Sequence, residues 1–199
     1  AEDHVLLLTL HHIVSDGWSI RVLMDEFAAL YSAALVGNQA ALPALPVQYA
    51  DYAQWQRSLL ADGEGERQLA WWVQQLGHDN PRLDLACDRP RPAQQSYRGG
   101  SLSFELDAAL SERLRALARS HDVTLFMLLL GAYGVLLRSC SGQADLRVAV
   151  PVANRQQLET EGLIGFFVNP LVSPCRVDVQ ASFSDLLAAL KPLALGAQA

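Results

Sequence analysis

The sequence predicts a mixed α/β fold. Three observations carry that prediction: short apolar or alternating runs of strand character, longer runs with helical spacing, and a proline- and glycine-rich joint near the middle. Strands are expected at His4–Leu10, a short apolar run, at Ser101–Leu106, where apolar and polar residues alternate, and at Asp145–Val150; Ile164–Val172 reads as extended. From Trp18 to Leu35 the residues Ile20, Leu23, Met24, Phe27, Leu30 and Tyr31 recur at helical spacing, and Gly37-Asn38 stops the helix. Further helices are predicted over Tyr49–Leu60, Glu64–Leu76, Ser111–Ser120, Thr124–Ser139 and Phe183–Leu190. Residues Gly77–Gly100 hold Pro81, Pro90, Pro92 and Gly99-Gly100 with little periodicity, and read as a linker between 1–76 and 101–199.

Composition narrows the functional classes. The 199 residues carry a formal net charge of −6, with 51% hydrophobic and 18% charged residues, ordinary for a globular protein. The negative charge and the absence of a basic patch argue against nucleic acid, since Arg89 and Arg91 make too short a segment. No apolar run reaches the roughly 18 residues a bilayer requires; the longest, Leu125–Leu137, is interrupted by Gly131, Tyr133 and Gly134. Neither a start Met nor a basic leader is visible, and Cys87, Cys140 and Cys175 are odd in number and widely spaced. A reduced, cytoplasmic setting is expected, with no disulfide framework and no zinc site. A strand entering at His4 with nothing before it reads as a chain that opens inside a domain.

One constellation has catalytic content: His11-His12-Ile13-Val14-Ser15-Asp16-Gly17, between the first strand and the first helix. Element ends are where a rigid scaffold presents side chains to a cleft. Neighbouring side chains on extended backbone point to opposite faces, so one histidine should face the cleft while the other braces the turn. An imidazole can take a proton from an attacking amine or thiol near neutral pH. Asp16 could orient an imidazole or pair with an arginine, and Gly17 would permit a backbone angle or close approach that a side chain blocks. A metal site on His12 and Asp16 lacks a third ligand at a recognisable spacing. No Gly-x-Ser-x-Gly elbow, P-loop or Gly-x-Gly-x-x-Gly occurs. A histidine pair in a turn more often serves structure than catalysis, so residue chemistry alone leaves two readings: a structural turn, or a histidine-dependent transferase of unknown substrate.

The turn resembles the His-His-x-x-x-Asp-Gly signature shared by non-ribosomal peptide synthetase condensation domains and chloramphenicol-acetyltransferase-like acyltransferases. Two further stretches narrow it. Tyr49-Ala50-Asp51-Tyr52-Ala53-Gln54-Trp55 is similar to the condensation-domain motif Tyr-x-Asp-Tyr-Ala-x-Trp, and Pro151–Arg155 with Leu163–Asn169 resembles its Pro-Val-Ala-Asn-Arg and Ile-Gly-Phe-Phe-Val-Asn motifs. The resemblance implies a chloramphenicol-acetyltransferase-like two-lobed fold, present here in part: the end of the N-terminal lobe, a crossing, and the start of the C-terminal lobe. It implies amide bond formation between an acyl donor and an aminoacyl acceptor on phosphopantetheine arms. Those arms would be delivered by upstream and downstream peptidyl carrier proteins beside an adenylation domain, with no cofactor bound directly. By the same resemblance His12 stands at the reaction centre, as general base or as positioner of the amine, and His11 holds the architecture. Asp16 is structural with Arg155 as its partner across the lobes, Gly17 presents its N–H to the reacting carbonyl, and Asn169 supports the site.

Departures and rivals sharpen these expectations. Pro170 stands where the family has Thr and Pro174 where it has Arg, with Arg176 two positions later; altered strand pairing is expected there. A family domain is more than twice this length, so the piece alone is expected to be inactive. An epimerisation domain usually reads Val-Ser-Trp after Asp-Gly, whereas this chain reads Trp18-Ser19-Ile20. A coenzyme A-dependent acyltransferase of the same fold and a non-catalytic carrier-binding module are the remaining alternatives. Trp55, Trp71 and Trp72 are expected in packing, Tyr49 and Asp51 in support of the lobe. Phe166 and Phe167 should face opposite ways.

Overall fold

A computed structural model describes residues 3–90 and 92–197, so Arg91 lies outside the described residues. By Cα proximity the chain forms two compact units, one of residues up to Gln74 with Pro151–Pro170, the other of Gln75–Val150 with Leu171 onward.

In the first unit, helix α1 (Gly17–Leu35) begins where Asp16 caps it, its carboxylate accepting the Ser19 N–H. It stops at Gly37, whose φ of 71° is cheap only for glycine. Helix α2 (Tyr49–Leu59) opens on a capping box between Gln48 and Asp51, which gives Asp51 a local structural role. A π turn at Leu60–Glu64, with Gly63 at φ 99°, joins it to α3 (Gly65–Leu76). Tyr52, Leu163 and Phe167 form the buried cluster of this unit, with Val47 and Tyr49 packed against it.

In the second unit, Asp107 caps α4 (Ala108–Ser120) and Thr124 caps α5 (Leu125–Ser141), which ends on Gly142 at φ 74°. Strands β1 (Asp145–Val152) and β2 (Asn169–Arg176) form a two-stranded sheet, and α6 (Phe183–Gly196) starts on a Ser182–Asp185 capping box. Leu137, Leu146, Cys175, Val177, Leu186 and Leu190 make one core cluster, and Ala118, Leu128 and Leu187 another. Gly131 lets α6 approach α5: a Cβ there would stand 3.3 Å from both Leu187 and Leu190. Among the described residues no single helix is long and apolar enough to cross a membrane.

Several sequence expectations are corrected. His4–Leu10 and Ser101–Leu106 form no strand, because a strand exists only by pairing and no described segment pairs with them. Several of their side chains are bare: Val5 is 96% exposed and Leu102 91%. The paired strand starts at Asn169, later than Ile164, since the extended backbone before it bonds to side chains in place of a neighbouring strand. Pro170 and Pro174 both sit inside β2, which still pairs with β1. Four residues apart, they remove donors from the same edge of the strand and leave the other edge free to pair. Helix α6 also runs past Leu190 through Pro192. Trp55 is 44% exposed yet packs against Tyr52, with ring centroids 5.7 Å apart, so it serves helix packing at the edge of the core.

Candidate active site

The histidine turn folds as a short 3-10 helix over His12–Val14, and the two imidazoles play opposite parts within it. His11 Nδ1 accepts the Ile13 N–H at 3.1 Å, so it caps the turn and must carry its proton on Nε2 when neutral. His12 Nδ1 lies 2.7 Å from the Ser15 carbonyl oxygen. A carbonyl only accepts, so Nδ1 of His12 carries the hydrogen, and the lone pair of the neutral ring is on Nε2. The His12 side chain is at the surface of the described chain and meets Phe166 edge to face, with ring centroids 5.0 Å apart at 86°. The orienting role considered for Asp16 is thus filled by the Ser15 carbonyl.

Asp16 does something else. Its carboxylate is fully buried and pairs with Arg155 Nη2 at 3.3 Å, the Arg155 side chain being 1% exposed. Oδ1 also accepts the Ser19 N–H and Oγ–H, and Oδ2 accepts the Phe167 N–H at 3.0 Å. Burial by itself pushes this carboxyl up. The Ser19 and Phe167 N–H groups, the Ser19 hydroxyl and the Arg155 charge together outweigh it and hold the group below its ordinary 3.8. Arg155 spends Nη1 on the Thr160 and Leu163 carbonyls and Nη2 also on Ser19 Oγ. Its guanidinium carbon stands 3.9 Å from the Phe167 ring centroid, while Nε is buried without a hydrogen-bond partner. Both members of the ion pair belong to the first unit.

Residues 165–167 are pinned on every side. Gly165 donates its N–H to Ser19 Oγ, and the Ser19 hydroxyl has the Gly165 carbonyl at 2.7 Å and Asp16 Oδ1 at 2.8 Å as its two acceptors. The Phe166 carbonyl accepts the Tyr49 hydroxyl at 2.7 Å. A Cβ at Gly165 would overlap the Tyr49 ring, so glycine is required for that ring to lie there. Phe167 is buried while Phe166 is 39% exposed, so the pair does face opposite ways.

Gly17 is not in the left-handed region, and nothing lies within 4 Å of where its Cβ would be; neither a backbone angle nor crowding by this chain demands glycine there. Asn169 opens β2 with an exposed side chain and takes no part in the Asp16–Arg155 cluster. Three residues were missed by motif reading: Ser19, the 0% exposed hub, Thr160, and Trp18, whose indole N–H donates to the Glu161 carbonyl. The available signal for Ser19 was its place three residues after an N-cap aspartate. Among the described residues no three His, Cys, Asp or Glu side chains gather as metal ligands.

A family model described as "Condensation domain" matches residues 1–199. The chain is 46% identical over 98% of its length to a linear gramicidin synthase subunit from Brevibacillus parabrevis, covering 2% of that protein. It is 43% identical over 96% of its length to phosphinothricin tripeptide synthetase PhsC of Streptomyces viridochromogenes, covering 18% of it. Among solved structures it is similar to the X-domain from teicoplanin biosynthesis, with TM-score 0.84, 28% identity, and coverage of 95% of this chain and 43% of that one. The condensation domain of the monacolin K polyketide synthase MokA gives TM-score 0.75 and 27% identity over 94% of this chain and 43% of its own. The chain thus spans less than half the length of these solved neighbours and a small fraction of the curated synthetases. A histidine turn, an ion-paired aspartate and a family match over the full length agree: this chain belongs to the condensation-domain family, as part of its chloramphenicol-acetyltransferase-like fold.

Proposed function

We propose that the parent protein of this chain forms an amide bond between a carrier-bound acyl donor and a carrier-bound aminoacyl acceptor, with His12 at the reacting atoms. The observation that carries this reading is the 2.7 Å contact of His12 Nδ1 with the Ser15 carbonyl, which leaves Nε2 as a proton acceptor on an accessible face. In the proposed step the acceptor amine attacks the donor thioester carbonyl, the C–N bond forms, and the C–S bond breaks. Nε2 of His12 takes the proton released by the amine and returns it to the departing thiolate, so the donor arm ends as a free thiol. With Nδ1–H engaged on the Ser15 carbonyl, Nε2 is the ring atom turned to the substrate side for the base role. The open space around Gly17, at the start of α1, leaves room for a carbonyl oxygen to approach that backbone.

His11 braces the turn in this account, and Asp16 and Arg155 hold it against the Gly165–Phe167 backbone. Asn169 would support the site only through β2. The arms would come from phosphopantetheine on upstream and downstream peptidyl carrier proteins, with an adenylation domain adjacent. In lobe terms, residues 1–76 would close the N-terminal lobe, 77–100 would cross, and 101–199 would begin the C-terminal lobe. Likeness to curated peptide synthetases supports this setting.

Likeness to a solved complex of an X-domain with OxyB favours the binding part of a second reading, a non-catalytic carrier-binding module. One experiment separates them. With the full-length parent, an acylated upstream carrier and an aminoacylated downstream carrier, the intact mass of the downstream carrier is followed. Condensation adds the donor acyl mass. Epimerisation leaves the mass unchanged while inverting a centre, a coenzyme A-dependent enzyme needs acyl-coenzyme A as donor, and a binding module changes nothing; each of these outcomes contradicts the proposal.

A further inference from the structure

We infer that Phe166 is a positioning residue for His12: its ring is the wall against which the imidazole is held with Nδ1–H on the Ser15 carbonyl. The inference rests on the reading that His12 acts at the reacting atoms. A single hydrogen bond leaves an imidazole free to tilt about that bond, so a second contact is needed to fix where Nε2 points. Among the described residues the ring contact His12 makes is with Phe166, edge to face at a centroid distance of 5.0 Å.

Phe166 is suited to this because its backbone cannot yield. Its carbonyl accepts from the Tyr49 hydroxyl, the N–H of the next residue donates to Asp16 Oδ2, and the preceding Gly165 donates its N–H to Ser19 Oγ. Phe167, fixed by the same bonds, turns inward over Arg155, and alternation sends the Phe166 ring outward to the histidine. The buried ion pair and the outward imidazole are therefore joined through one three-residue segment. Asp16 holds it through the Phe167 N–H and Tyr49 through the Phe166 carbonyl, and Phe166 passes that rigidity to His12. The Tyr49 hydroxyl and the Phe166 ring thus link the two motifs to the histidine turn.

The test uses the full-length parent with its upstream carrier acylated and a soluble aminoacyl-pantetheine thioester as acceptor. Phe166→Leu is expected to lower the maximal condensation rate on the order of 2- to 12-fold, the span of an edge-to-face pair, with the half-saturating acceptor concentration unchanged. Phe166→Tyr, which keeps the ring, restores most of the rate. In a His12→Ala background Phe166→Leu costs nothing further, because its effect runs through the imidazole. A rise in half-saturating concentration at constant maximal rate would make Phe166 a substrate wall and overturn the inference. So would an undiminished loss in the His12→Ala background. If His12→Ala alone keeps the wild-type rate, the catalytic reading itself fails, whatever Phe166 does.

Discussion

Replacing Asp16 with alanine should be felt first as lost stability. The carboxylate is fully buried, and its removal strips partners from the Ser19 N–H, the Phe167 N–H and one face of the Arg155 guanidinium. Arg155, its side chain 1% exposed, would keep its bonds to the Thr160 and Leu163 carbonyls and to Ser19 Oγ, but its charge would be buried without a counter-ion. Breaking one half of a buried pair costs about 3–5 kcal/mol, and loss of the N-cap on α1 adds about 1 kcal/mol. Against a total stability of about 5–15 kcal/mol for a domain, that is enough to deplete soluble protein before catalysis can be measured. Denaturant unfolding of the parent protein is the assay, with Asp16→Ala/Arg155→Met as the control. Removing both charges should recover a large part of the loss, because the uncompensated cation is gone. The pH dependence has a defined sign. The folded-state pKa of Asp16 lies below 3.8, so its contribution is fully present above that value and is lost as the pH falls through the folded-state pKa. The stability gap between wild type and Asp16→Asn should therefore be constant near neutrality and shrink in strong acid. An Asp16→Ala protein within about 1 kcal/mol of wild type near neutrality would refute the reasoning.

Other consequences are simpler to read. Gly165→Ala should displace the Tyr49 ring and break its hydroxyl bond to the Phe166 carbonyl, costing about 1–3 kcal/mol in chemical denaturation; an unchanged midpoint would show that the ring has room. Gly134→Ala would drive a methyl into the Cys175 sulfur, and the paired change Gly134→Ala/Cys175→Ala should restore most of the lost stability, as a double-mutant cycle would show. The 199 residues on their own should bind a hydrophobic dye strongly and form no product, since Val5, Leu7, Leu102 and Phe104 are each more than four-fifths exposed; weak dye fluorescence would contradict this.

Helices were legible because their signals are local. Asp16, Asp107, Thr124 and Ser182 each cap a helix through their own side chain, and apolar spacing marked the bodies that follow. The strand expectations failed at His4–Leu10 and Ser101–Leu106 for the complementary reason. Alternation and apolar runs describe a strand's faces, while its existence depends on a distant partner. Phe166 and Phe167 were legible as an opposed pair, since period-two geometry needs no knowledge of neighbours. The Asp16–Arg155 pair came from motif resemblance, across 139 residues of chain, and no spacing rule could have supplied it. Ser19 was overlooked because a serine in a first helical turn has an ordinary local explanation. Its bonds to Gly165 and Arg155 are made by the fold.

The central claim is that Nε2 of His12 handles the proton of the attacking amine. The most direct measurement is the single-turnover condensation rate of the full-length parent, wild type against His12→Ala, with carrier-bound acceptors whose amines range from strongly to poorly nucleophilic. A loss of about 100-fold or more is expected with the poorest amine, where a base is needed most, in a protein that unfolds like wild type. A His12→Ala enzyme that joins the poorest amine at near the wild-type rate would contradict it.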